Sequence, residues 1–126
     1  MIFVFVNCSL FHFINWIISG LKKYETRNRN TLKQLIGKKV YLVETGKHKK
    51  PLVRCSCLIA EGFTVGNIYE YEQFRPETMV KAGTVYDFIP GKKKTFYKLE
   101  KVQSVPAFPL PDNIIRHGRT WAELIE

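Results

Sequence analysis

The chain has 126 residues, 45% of them hydrophobic and 13% aromatic, and a formal net charge of +9. This is enough apolar material for one folded domain over residues 1–126, and it excludes a disordered tract for most of the length. The excess charge is local: residues 22 to 54 hold eleven Lys or Arg against Glu25 and Glu44, whereas the remainder holds nine of each sign and is neutral.

Ile2–Val6 is a continuous apolar, β-rich run, the pattern of a strand buried on both faces. Asn7-Cys8-Ser9 breaks it. Ser9 is then an expected N-cap for a helix whose Leu10, Ile14, Ile17 and Leu21 recur at helical spacing, with Phe13 and Ile18 widening the stripe and Gly20 ending it. Residues 1 to 21 carry no charged side chain, which raises the question of a membrane span. Asn7, Ser9, His12, Asn15 and Ser19 interrupt the run, and neither a basic leader nor a small-residue cleavage site flanks it. The expectation is a strand and a helix of a soluble, cytoplasmic protein, with no membrane partner.

Beyond Gly20 lies the densest polar stretch of the sequence, Gly20 to Arg29, where charge meets core. Asn30 to Gly37 reads as a short helical turn stopped by glycine. Lys39–Glu44 and Leu52–Ala60 read as a hairpin with a basic tip carrying Lys47, His48, Lys49 and Lys50. In the second strand Val53, Cys55, Cys57 and Ile59 share one face by alternation. Gly62 to Gly83 shows weak periodicity and suggests a connection with a short helix. Thr84–Ile89 and Thr95–Val102 read as two further strands around the Pro90-Gly91 turn signal, and the tail with Pro106, Pro109 and Pro111 as extended and irregular until an apolar element near Trp121. The elements sum to an α+β fold: a small β-barrel of about five to six mostly antiparallel strands with flanking short helices.

Three cysteines, Cys8, Cys55 and Cys57, make no even disulfide framework, and Cys55 and Cys57, two apart on one strand, point to the same face and do not easily bridge each other. A C-x-C pair with His48 lacks the ligand spacing of an established zinc site, so neither metal nor cofactor is expected. A local positive field of the kind found over residues 22 to 54 favours phosphates and other anions. Lys22, Lys23, Arg27 and Arg29, with Lys47, Lys49 and Lys50 on the hairpin tip and the run Lys92 to Lys94, are the candidate phosphate contacts. Tyr24 and Trp16 are the nearby aromatics able to stack on a base, and Glu25 can accept from a base amino group or pair with Arg27. A buried Glu25–Arg27 ion pair with a purely structural role is the competing account.

Gly20-x-Lys22-x-x-Glu25-x-Arg27 resembles the G-x-K-x-x-E-x-R signature of ASCH domains, small β-barrels similar to the PUA fold of RNA-modification proteins. Tyr97-x-Leu99-x-x-Val102 followed by Pro106, Pro109, Gly118 and Trp121 resembles the closing part of the same family. The resemblance implies that the motif lines a cleft binding RNA or a nucleotide-like ligand. One branch of the family is catalytic and removes the acetyl group from N4-acetylcytidine, using a lysine of the motif, a threonine shortly after it and a more distant glutamate. Lys22 matches the lysine, but the threonine position falls on Glu25, and the nearest hydroxyl is Thr26, on the opposite face of an extended chain. Glu61, Glu70 and Glu72 are the candidate distant acids. The resemblance thus implies a binding module first, with amidohydrolase chemistry on an acylated nucleoside as the alternative.

Overall fold

The structure is a computed structural model and describes residues 1–125. Seven strands form one sheet in the order β2-β5-β4-β3-β1-β7-β6, built from β1 (Ile2–Asn7), β2 (Tyr24–Arg27), β3 (Lys39–Thr45), β4 (Leu52–Val65), β5 (Lys94–Pro109), β6 (Ile114–His117) and β7 (Trp121–Leu124). Two short helices accompany it, α1 (Phe13–Ile18) and α2 (Ile68–Thr78). Five of the six strand pairings are antiparallel and only β1 with β3 is parallel. The expected closed barrel is not formed: β2 and β6 end the sheet as edges that do not pair with each other.

β1 lies between β3 and β7, which explains its unbroken apolar run. Val4 and Val6 join α1 in the main core with Val40, Leu42, Cys55 and Ile59, while Phe3 and Phe5 pack on the other face with Val43, Val53 and Ala122. Alternation along β4 fails first at Arg54. Leu42 pairs with Cys55 but Val43 pairs with Val53, so Arg54 is an extra residue, and this bulge sends Val53 and Cys55 into different cores. A further irregularity near Lys101, held at φ 51°, and another near Ala60 bend the long β4–β5 ribbon. The ribbon continues through Pro106 and Pro109, which the sequence pattern marks as irregular. β2 covers β5 only from Thr95 to Lys98, so beyond that point the other side of β5 is an open edge, where a missing N–H costs little.

Two other expectations change. The first helix spans only Phe13–Ile18, and Ser9 does not cap it: the Ser9 hydroxyl accepts from the Lys47 N–H at 2.7 Å, tying the Asn7–Ser9 turn to the tip of the β3–β4 hairpin. Leu10 and Leu21, expected on the buried stripe, are exposed. The segment Thr84–Ile89 is not a strand but a series of turns, because its aromatics serve two different clusters: Tyr86 packs edge-on against Phe13, whereas Phe88 joins Tyr24, Val65, Tyr71 and Phe96 under α2. Among the described residues, no helix is long and apolar enough to cross a membrane.

Candidate functional site

The motif stretch is placed by two helix ends. Gly20, at φ 83°, turns the chain out of α1, and the N–H groups of Leu21 and Lys22 donate to the Trp16 carbonyl at 2.9 and 3.0 Å. Lys22 then reaches the other helix, α2. Its Nζ donates to the carbonyl of Thr78, the last residue of α2, at 2.6 Å, and the Lys23 N–H donates to the Glu77 carbonyl at 2.7 Å. Carbonyls at a helix C-terminus lack intrahelical partners and carry the negative end of the dipole, so a lysine is a fitting cap. Lys22 is only 2% exposed and lies 4.7 Å from the centre of the Phe13 ring. Burial holds its ammonium below the ordinary lysine range; Glu25 opposes that shift, while Arg27 and Lys94 add to it.

β2 follows as an edge strand on β5. Glu25 pairs with Tyr97 and Arg27 with Thr95, whereas Tyr24 pairs with Lys98 and Thr26 with Phe96. Directly opposed residues share a face, so Glu25 and Arg27 lie on the side of Tyr97, and Tyr24 and Thr26 on the side of Phe96. Arg27 donates from Nη2 to the Phe5 carbonyl at 2.8 Å, and the Glu25 Oε1 accepts from the Thr26 N–H at 3.1 Å. The ion pair between Glu25 and Arg27 is loose, 3.9 Å between Oε2 and Nη2. Glu25 Oε2 and Arg27 Nε are both buried and have no hydrogen-bond partner among the described residues. Buried groups of this kind are ordinarily satisfied, so both residues keep hydrogen-bonding capacity that the fold does not use.

These residues line a cleft of about 320 Å³ between β2, the end of β1 and the loop after α2. Four cations border it, Lys22, Arg27, Lys94 and Arg119, against the single carboxylate of Glu25. Asn7, Asn28 and Thr45 add neutral polar groups, and Phe13, Val85 and Tyr86 supply apolar wall. Lys94 is 4% exposed; its Nζ donates to Asn28 Oδ1 at 2.9 Å and to the Asp87 carbonyl at 3.4 Å. Burial lowers its pKa too, with Asp87 and then Glu25 acting in the opposite direction. Asp87 is held below the usual carboxylate range although burial works against it, because the N–H groups of Gly83 and Phe88 donate to its oxygens and Arg75 pairs with it at 2.9 Å.

Of the residues singled out by sequence, the structure brings Lys22, Glu25, Thr26 and Arg27 to the cleft. Lys23 is exposed and faces Glu77 at 3.9 Å, and Tyr24 is packed among Phe63, Phe74 and Phe96, out of reach of a cleft ligand. Trp16 packs on Phe11 and Phe13. Arg29 lines a neighbouring pocket. Lys47, Lys49 and Lys50 lie between β3 and β4, outside the cleft wall, with the Lys49 ammonium donating to the Cys8 carbonyl at 3.2 Å. Asn28, Tyr86 and Arg119 are cleft residues that the sequence pattern did not single out, and Lys94 was visible only as one member of a lysine run. The cysteines are buried free thiols, and burial pushes Cys55 up to about 11 and Cys57 up to about 12, so both are protonated thiols at neutral pH.

An open, mixed β-sheet with a polar cleft at the junction of β1, β2 and the loop after α2 is the ASCH-like fold. The ASCH protein of Zymomonas mobilis superposes with a TM-score of 0.66 at 16% identity, over 86% of this chain and 73% of that one. Two mutant forms of that protein superpose at 0.68 and 0.67 with 17% and 18% identity, covering 85% and 86% of this chain and 73% and 76% of theirs. The motif resemblance and the fold therefore agree, at a sequence identity that carries the fold alone. No family model and no curated protein matches the sequence.

Proposed function

We propose that the cleft binds one nucleotide unit of a single-stranded RNA or a nucleotide-like ligand. The observation that carries this reading is the pairing of unused hydrogen-bonding capacity on Glu25 and Arg27 with a four-cation rim. A nucleotide presents that combination in reverse: an anionic phosphate, and a base edge with both amino donors and carbonyl or ring-nitrogen acceptors. Lys94 and Arg119 are suited to phosphate, Glu25 to a base amino group, and Phe13 and Tyr86 to the apolar face of the ring. The volume lies at the small end of ligand pockets and suits one base with its sugar, not a duplex. Lys47, Lys49 and Lys50 act at longer range, raising the local anion concentration without direct contact.

Titration calorimetry with the four ribonucleoside 5′-monophosphates and an unstructured RNA tests the reading. Lys22→Met keeps the length and apolar stem of the side chain while removing the charge. It should weaken binding at least about tenfold with the fold intact, the effect of deleting a charge-assisted hydrogen bond. Unchanged affinity in both Lys22→Met and Arg27→Ala would sink the proposal.

One observation keeps an amidohydrolase reading in view. A buried lysine with a lowered pKa beside a carboxylate is the kind of group that can take up a proton in catalysis. Thr26 is a poor nucleophile for it, since its register puts it on the Phe96 face of β2. Release of cytidine from N4-acetylcytidine, abolished by Lys22→Met, would establish that chemistry; absence of turnover with retained nucleotide binding would leave the binding module.

A further inference from the structure

A second pocket of about 410 Å³ abuts the cleft, and the two share Asn28 and Lys94 as a common wall. Its other cations are Arg29, Lys92 and Lys93, it has no carboxylate among its lining residues, and Ile89, 45% exposed, gives it an apolar side. None of Arg29, Lys92 and Lys93 has a carboxylate partner among the described residues. Asp87, five residues before Lys92, does not line the pocket; its carboxylate pairs with Arg75 and accepts from the N–H groups of Gly83 and Phe88, and it acts on the pocket only by supporting the charge of Lys94. The dividing wall is itself built from a donor and an acceptor: the Lys94 ammonium bonds Asn28 Oδ1 at 2.9 Å, leaving a buried positive charge between the two spaces.

From this arrangement we infer that the second pocket is a subsite for the adjacent phosphate and nucleotide of the same strand, so that the ligand is a single-stranded oligonucleotide and not a free nucleotide. The inference rests on the proposed nucleotide reading of the first cleft and specifies its ligand. One linking phosphate at the Lys94 partition would leave its two flanking nucleotides on opposite sides, one facing Glu25 and Arg27 and the other facing Arg29, Lys92 and Lys93. Exposed lysines without acid partners lose little by meeting a phosphate backbone, and each such contact releases a counterion. The exposed apolar side chain of Ile89 gives the second sugar or base a surface without selecting its identity.

The test compares ribonucleoside 5′-monophosphates with random-sequence tetranucleotides, as RNA and as DNA, on the parent protein and on the Lys92→Ala/Lys93→Ala variant. In the parent, tetranucleotides should bind at least about tenfold more tightly than monophosphates, and in the variant that ratio should fall to within about threefold, because two phosphate contacts are lost. The dependence of log affinity on log salt should become shallower by about 1.4 in the variant, close to 0.7 for each lost single-strand phosphate contact. Tetranucleotides no tighter than monophosphates, or a ratio that survives the double substitution, would overturn the subsite while leaving the single-nucleotide cleft standing. Failure of monophosphates and tetranucleotides alike to bind would overturn both. The RNA and DNA arms separate the two sugars, either of which satisfies the inference if the ratio behaves as stated.

Discussion

Two regions supply most of the local positive charge, and the fold treats them in opposite ways. The hairpin tip displays Lys47, Lys49 and Lys50 on a turn whose polar groups are met locally, by Ser9 and the Cys8 carbonyl. The motif region instead draws Lys22 and, from a distant strand, Lys94 almost completely out of water and sets them beside Glu25 and Arg27, two of whose polar atoms have no hydrogen-bond partner among the described residues. Charge at the tip costs nothing to maintain, whereas buried charge opposes folding unless it is hydrogen-bonded or meets a ligand. The difference identifies the motif region, and not the more conspicuous lysine tip, as the place where an anion would be recognised at close range.

That contrast can be broken most forcefully at Arg27. Arg27→Ala removes the hydrogen bond to the Phe5 carbonyl and leaves Glu25 buried without its nearest cation, so it should cost roughly 3 kcal/mol of unfolding free energy, measured by urea titration, and abolish nucleotide binding. Lys22→Met should be milder on the fold. The lost Thr78 contact is offset by removal of a buried charge, and stability should stay within about 1 kcal/mol of the parent while affinity falls at least tenfold. A stability loss at Lys22→Met as large as that of Arg27→Ala, with no change in binding, would make the lysine a helix cap and nothing more.

A pH series sharpens the same point. Lys22 is charged more reluctantly in the folded than in the unfolded protein, so between its depressed folded pKa and the ordinary value of 10.5 the unfolded state holds more protons, and stability contributed by this group rises with pH. Urea midpoints of the parent measured from neutral pH up to 10 should therefore improve relative to those of Lys22→Met. A constant gap would mean that the lysine is not buried in solution. The smallest effect belongs to the tip: Lys47→Ala, Lys49→Ala and Lys50→Ala combined should leave stability within about 0.5 kcal/mol and lower affinity at low salt only, the loss vanishing as salt screens the field.

Much of this arrangement was legible before the fold was known. The run Ile2–Val6 announced a strand covered on both sides, the β-rich runs Lys39–Glu44 and Leu52–Ala60 located the β3–β4 hairpin, and the spacing of Gly20, Lys22, Glu25 and Arg27 marked the stretch that enters the cleft. Local patterning misled where a tertiary contact outweighed it. Ser9 looks like a helix cap but serves a hairpin, and Thr84–Ile89 has the composition of a strand but splits its aromatics between two clusters. The bulge at Arg54 moved Val53 to another core, an irregularity that residue alternation has no means of recording.

The sequence by itself determined β1, the β3–β4 hairpin and the start of β5, the confinement of the excess positive charge to about a quarter of the chain and the order of the motif residues, because these depend on propensity, periodicity and composition over short distances. Only the tertiary structure decided which cations would be buried. Lys92, Lys93 and Lys94 are identical neighbours in sequence, yet the last alone is enclosed, because β5 begins there and pairs with the end of β4 while Asn28, 66 residues away, receives its ammonium. Whether a lysine is solvated or becomes a cleft wall depends on partners brought together by sheet pairing, and no pattern within a few residues of Lys94 encodes them.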